Sequence, residues 1–234
     1  MIRGSDGQYL WYLNQHHLIT DGWSKALQVR YVMACYAALR AGKAAPEPDF
    51  APITDYLTNP PKPKPADLAY WDAKAKELPA PPKLYGRGNP NRESRATRWT
   101  TRLSDDQAKR LAEVVMEPGV RNWSVDLARF TVFATVLYAW QYKVSGQREL
   151  VFGSTAHNRV SAAHKQTPGL FMELFPQSVT IAEGETYASL LQKVKVATMD
   201  FLRNAKPGSS TLALTQSFNV VLNYINQNFG DGVE

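Results

Sequence analysis

The chain is poor in cysteine, in histidine and in long apolar runs, and each shortage removes a class of function. Cys35 is the only cysteine among 234 residues, so no internal disulfide can form. It lies inside an apolar helical pattern with no electropositive neighbours, which reads as a buried structural thiol and not a nucleophile. No stretch reaches the roughly 18 consecutive apolar residues of a membrane helix. The opening MIRGSDGQ has neither the basic nor the apolar region of a signal peptide. The expectation is a soluble, cytoplasmic chain with no membrane partner. There is no Gly-x-Ser-x-Gly elbow, which speaks against a serine hydrolase. Helix-turn-helix, zinc-ligand and RNP-type patterns are also missing, so no nucleic-acid partner is expected despite a net charge of +6. Much of that charge sits in one connector: residues 79–102 hold Lys83, Arg87, Arg92, Arg95, Arg98 and Arg102 against Glu93 alone.

What is present is enough apolar material for a sizeable core, 44% hydrophobic and 11% aromatic. Strand formers fill residues 8–17, predicting an extended segment that enters His16 and His17 with Tyr9, Trp11, Leu13 and His17 on one face. Val29, Val32, Met33, Tyr36 and Leu39 recur at helical steps, predicting a helix over residues 24–40 that ends near Gly42. Short helices are predicted at residues 53–57 and 67–78, the latter with Leu68, Trp71 and Ala75 on one side. The prolines and basic residues of 79–95 read as a linker. Beyond it the pattern predicts a strand over 96–103 and a helix capped by Ser104. A long apolar helix over 124–144 and strands over 149–155, 177–181 and 218–224 follow, with a further helix traced by Tyr187, Leu190, Leu191, Val194 and Phe201. Interleaved helices and strands place the chain in the α/β (α+β) class with a mixed sheet.

The chemistry concentrates in His16-His17-x-x-x-Asp21-Gly22-Trp23-Ser24. A strand end presents an imidazole, and glycine permits a tight backbone path beyond it. Asp21 accepts hydrogen bonds locally or from a distant arginine, holding the turn. Imidazole titrates near neutrality and is the side chain suited to moving a proton at physiological pH, which makes His17 the candidate. Trp23 and Ser24 are explained by packing and capping at the helix start. Two other readings stay open on spacing alone. His17 and Asp21 could be metal ligands, although His157 and His164 are remote in sequence and zinc needs three or four ligands. His17 could also be structural.

The surroundings carry a resemblance. The segment HHLITDG at 16–22 resembles the core motif of the condensation domains of nonribosomal peptide synthetases, a superfamily of chloramphenicol-acetyltransferase-like fold. Tyr70 and Trp71 look like that family's Tyr-Trp pair. QRELVFG at 147–153 with Asn158 and Arg159 resembles its strand and arginine-ended loop, PGLFMELFP at 168–176 its Gly-x-Phe segment, and VLNY at 221–224 its Asn-Tyr strand. Glu173 stands where the family usually has asparagine, and Gln177 and Ser178 replace an arginine common shortly after the proline.

The resemblance implies the central portion of such a domain. Residues 1–78 would be the end of an N-terminal subdomain carrying the motif, 79–95 the linker, and 96–234 the start of a C-terminal subdomain. It implies amide-bond formation between a carrier-bound acyl or peptidyl thioester and an aminoacyl acceptor, with His17 catalytic and His16 and Gly22 in the same motif. Asp21 would pair with Arg159 across the subdomains, and Asn223 would line the tunnel. No metal or resident cofactor is implied. Substrates would arrive on the 4'-phosphopantetheine arms of donor and acceptor peptidyl carrier proteins, with adenylation and carrier domains as neighbours. Epimerisation, ester formation and a non-catalytic carrier-docking role remain alternatives.

Overall fold

A computed structural model of the chain describes residues 2–5, 7–86 and 96–226. In order the elements are β1 (Ile2–Arg3), β2 (Tyr9–Leu10), α1 (Gly22–Arg40), α2 (Ile53–Thr58), α3 (Pro65–Glu77), a 3-10 turn (Leu84–Gly86), α4 (Asp105–Val114), α5 (Val125–Ser145), β3 (Glu149–Ala156), α6 (Ala162–Gln166), β4 (Glu173–Thr180), α7 (Tyr187–Asn204), α8 (Leu212–Gln216) and β5 (Val221–Leu222). Residues 87–95 of the expected linker lie outside the described residues.

The helices start where their caps dictate. Ser104, Ser124 and Thr186 each accept a backbone N–H of the following turn, from Gln107, Leu127 and Ser189. Gln107 and Ser189 reach back to the cap residue's own N–H, closing capping boxes on α4 and α7. Pro65 opens α3, where its missing N–H costs nothing. Gly146 ends α5 at φ 71, a left-handed position that glycine takes without strain.

Contacts divide the chain into two compact units. Of the described residues, those within 2–61 and 157–172 form one, and those within 62–156 and 173–226 form the other. The larger unit is built on a three-stranded sheet in the order β4-β3-β5, with β3 antiparallel to β4 and parallel to β5. Tyr138 of α5 and Leu190 and Val194 of α7 pack on Leu150, Phe152 and Val179 of the sheet. Trp71 of α3 packs with Phe175, Phe201 and Leu214 in a second cluster and donates its indole N–H to Asn204 O at 2.8 Å. That burial is why α3, expected to go with the segment before the linker, packs in this unit.

Gly153 is needed where β3 passes Phe218: a Cβ there would lie 2.2 Å from the ring. The two departures around β4 have local explanations. Glu173 accepts from the N–H groups of Gly208 (2.6 Å) and Ser210 (3.1 Å), fastening the loop before α8. Gln177 is buried and engaged at both ends of its amide, donating to Ser154 Oγ (2.8 Å) and accepting from Thr198 Oγ1 (3.2 Å).

Three expected strands are shorter or missing. The segment expected to be extended over 8–17 forms a ladder only at Tyr9–Leu10, against Ile2–Arg3. Residues 96–103 form no strand and leave Trp99 91% exposed. The strand expected over 218–224 is the two-residue β5. Strand propensity without a neighbouring ladder does not make a strand, and among the described residues these segments have little or no backbone to pair with. Conversely β4 begins four residues before its expected start because β3 is there to receive it, in unbroken register from Glu149↔Thr180 to Ala156↔Glu173.

Candidate active site

The motif turn and the loop of residues 157–172 meet within the smaller unit. Asp21 is the N-cap of α1, its Oδ1 accepting the Ser24 N–H at 2.9 Å. Arg159 Nη2 reaches the same carboxylate, 2.8 Å from Oδ1 and 3.0 Å from Oδ2, with both side chains only 3% exposed. The N–H of Phe171 donates to Oδ2 at 3.1 Å. Ser24 Oγ stands 2.8 Å from Asp21 Oδ1 and 2.7 Å from Gly169 O, so its single proton serves one of the two. The same oxygen accepts from the Gly169 N–H (2.8 Å) and from Arg159 Nη2 (3.0 Å).

One carboxylate and one hydroxyl thus pin the loop to the first turn of α1. Trp23 adds a tie of its own, its indole N–H donating to Lys165 O at 2.8 Å. The Arg159 guanidinium also lies over the Phe171 ring, 4.1 Å from its centroid, and Tyr56 and His164 complete an aromatic cluster around that ring. Burial pulls the Arg159 pKa down, and the Asp21 charge opposes it. The expectation of an Asp21 and Arg159 pair across two subdomains is therefore corrected in one respect. The pair is present, but both partners sit in one compact unit, because the 157–172 loop packs with the motif segment.

The two histidines differ. His16 turns its ring onto its own backbone, Nδ1 accepting the Leu18 N–H at 3.1 Å, while its carbonyl accepts from Ile19 N–H. His17 lies in the turn itself, exposed, and its imidazole has no hydrogen-bond partner among the described residues. Gly22 is the first residue of α1. Asn223 belongs to the other unit, where its Oδ1 accepts from Thr155 Oγ1 at 3.2 Å. Both oxygens of Asp21, one of the metal ligands considered with His17, are engaged by Ser24, Arg159 and Phe171. Among the described residues no group of three His, Cys, Asp or Glu side chains is arranged to hold a metal ion, and no helix is long and apolar enough to cross a membrane.

His157 is the neighbour that sequence reading passed over. It stands two residues before Arg159 at the end of β3. Partial enclosure of its ring, although the residue as a whole is surface-exposed, pushes its pKa below the usual histidine value. The Arg159 charge acts in the same direction and Asp21 opposes it. No spacing signal marks His157, since its relation to Asp21 exists only once the loop has docked.

A sequence model of the Condensation domain family matches residues 1–227. The chain belongs to the condensation-domain family. Among curated relatives it is 25% identical over 233 residues to surfactin synthase subunit 1 of Bacillus subtilis (strain 168), covering 94% of this chain and 6% of that protein. It is 23% identical over 201 residues to enterobactin synthase component F of Escherichia coli (strain K12), covering 83% and 15%. Among solved structures, the starter condensation domain of rhizomide synthetase in complex with C8-CoA and Leu-SNAC superposes with a TM-score of 0.72 at 21% identity, over 89% of this chain and 48% of that one. The first condensation domain of the calcium-dependent antibiotic synthetase gives a TM-score of 0.68 at 23% identity, over 89% and 48%. The fold is accordingly the α/β, chloramphenicol-acetyltransferase-like fold of condensation domains. The chain spans about half the length of these solved condensation-domain chains and a small part of its curated relatives.

Proposed function

We propose that this condensation-domain chain takes part in forming an amide bond between an acyl or peptidyl thioester donor and an aminoacyl acceptor, each presented on the phosphopantetheine arm of a carrier protein. The observation that carries this reading is the lock of Asp21, Ser24 and Arg159 at the start of α1. It fixes the turn four residues after His17 while the His17 imidazole has no hydrogen-bond partner among the described residues. An α-amino group with a pKa of about 7.7–8.0 is largely protonated at neutral pH and must be neutral to attack a thioester. Once it has added, it must lose a proton, and collapse of the adduct breaks the C–S bond and returns the donor's phosphopantetheine arm as the thiol. His17 accepts that proton or holds the amine in line, contributions typically worth about 10² to 10⁴ in rate. His16, whose Nδ1 is bound to the turn, supports the loop instead. Asp21 and Arg159 act by position, and Gly22 lets the helix start directly behind the cap.

The test is product formation from two loaded carrier proteins, read by mass spectrometry. His17→Ala is expected to lower product by at least about 10² with unfolding unchanged, and near-normal turnover of that variant would remove His17 from the chemistry. A second reading, carrier binding without turnover, is favoured by the exposure of both histidines. In that case wild type and His17→Ala would bind loaded carriers equally and neither would form product.

A further inference from the structure

A groove of about 1020 Å³ in the larger unit runs between α7 and the outer edge of β4, away from every residue assigned above. Its apolar strip is made by Trp123 (81% exposed), Val196 (72% exposed) and the half-buried Met199. Cations flank the strip. Lys74 and Arg203 have no carboxylate partner among the described residues. Lys195 is held by the carbonyls of Gly119 (2.8 Å) and Arg121 (3.1 Å), which fix its position without neutralising it. The acid in the groove, Asp200, is hydrogen-bonded by the Tyr70 hydroxyl and the Asn204 amide, and stands as one carboxylate beside the three cations Lys74, Lys195 and Arg203.

The strand edge beside the groove is interrupted for pairing. Ile181 N–H donates to Arg148 O, so the odd-numbered residues of β4 turn their backbone groups to β3 and the even-numbered ones turn outward. Of these, Leu174 O accepts from Ser210 Oγ (2.7 Å), Pro176 has no N–H, and Thr180 O accepts from Lys193 Nζ (3.1 Å). Ser178 alone keeps both outward groups, so an added strand would meet a broken ladder. The broken ladder leaves side chains as the main means of holding an occupant, and the face of α7 from Gln192 to Arg203 is about 16 Å long, roughly three helical turns.

We propose that this groove receives an amphipathic helix from a partner protein, with its apolar face on Trp123, Val196 and Met199 and an acidic flank against Lys74, Lys195 and Arg203. The recognition is of the helix-in-groove kind, in which apolar anchors one and two turns apart supply affinity and rim charges supply orientation. It does not depend on the chemistry assigned to His17.

The test uses the full chain and a fluorescein-labelled helical peptide with leucines at i, i+3, i+4 and i+7 and glutamates at its flanks, read by fluorescence anisotropy. Saturable binding is expected, weakened about tenfold by Val196→Glu and weakened again by salt. Arg203→Glu is expected to lose the glutamate-flanked peptide and to gain one with lysines in their place. These substitutions fall on the surface, and circular dichroism of each variant checks that the fold is kept. Equal binding of the lysine-flanked peptide to the unaltered chain would overturn the proposal, as would binding indifferent to Val196→Glu. So would concentration-dependent self-association of the chain that Val196→Glu abolishes, which would make the occupant a second copy.

Discussion

Removing the Asp21 carboxylate should be among the most damaging single changes in the motif, and its cost can be worked from the contacts. Asp21→Ala deletes both acceptor oxygens of Arg159, the cap of the Ser24 N–H and the acceptor of the Phe171 N–H. Arg159 Nη2 would keep Ser24 Oγ and Gly169 O, and the guanidinium would keep the Phe171 ring, but no countercharge would remain. A buried charge stripped of its partner costs about 3–5 kcal/mol. The lost cap alone is worth about 1 kcal/mol. Because the three losses fall on one cluster they do not add, and about 3–5 kcal/mol is expected in all. Against a total stability of about 5–15 kcal/mol that is a large fraction.

The assay is urea unfolding followed by circular dichroism, with hydrogen exchange at the Ser24 and Phe171 amides as a local reading. Asp21→Asn, which keeps one oxygen and removes the charge, should fall between wild type and alanine. The double variant Asp21→Ala/Arg159→Met should recover part of the loss, since an apolar replacement of a buried pair is often close to neutral. An Asp21→Ala protein within about 0.5 kcal/mol of wild type, or a double variant less stable than the single one, would refute the reasoning.

Three further outcomes are expected. His157 has its pKa lowered in the folded chain, so the unfolded state takes up the proton first; stability should therefore fall as pH drops below about 6.5, and His157→Gln should flatten that slope in a pH series of urea unfolding curves. Glu185, bound to Lys193, Ser189 and the Ala182 N–H, is held down to about 2. Its support of the α7 start is thus fully present above the ordinary carboxylate value of 4.5 and lost as pH falls through about 2, and an NMR carboxyl titration with a midpoint near 4.5 would contradict this. Gly153→Ala drives a methyl into the Phe218 ring and should cost about 1–3 kcal/mol, with Phe218→Leu in the same chain restoring part of it in thermal unfolding.

Helices were the legible part of this fold because their signals are local. Ser104 with Gln107, Ser124, and Thr186 mark helix starts within a single turn, and the structure begins α4, α5 and α7 behind those residues. Strands are a property of pairs. The aromatic run at residues 9–13 and the alternation at 96–103 have strand-forming side chains, yet lack the neighbouring backbone that gave β4 its full length. The short α6 and α8 escaped notice because five residues carry too little periodicity to register. At the candidate site, Asp21 and Arg159 lie 138 residues apart, and family resemblance rather than spacing connected them. Ser24 was read as a capping residue, and its bonds to Gly169 could not be anticipated because they depend on where the 157–172 loop docks.

The interrupted edge of β4 also bears on how the chain behaves at high concentration. A bare strand edge is a template on which further chains can stack, the first step towards fibrous or amorphous precipitate. Here a proline, a serine hydroxyl and a lysine ammonium occupy part of that template, at three of its four outward positions. Growth of the sheet in that direction is hindered at the molecule's own boundary, and exchanging Lys193 for a small neutral residue would free Thr180 O and remove part of the barrier.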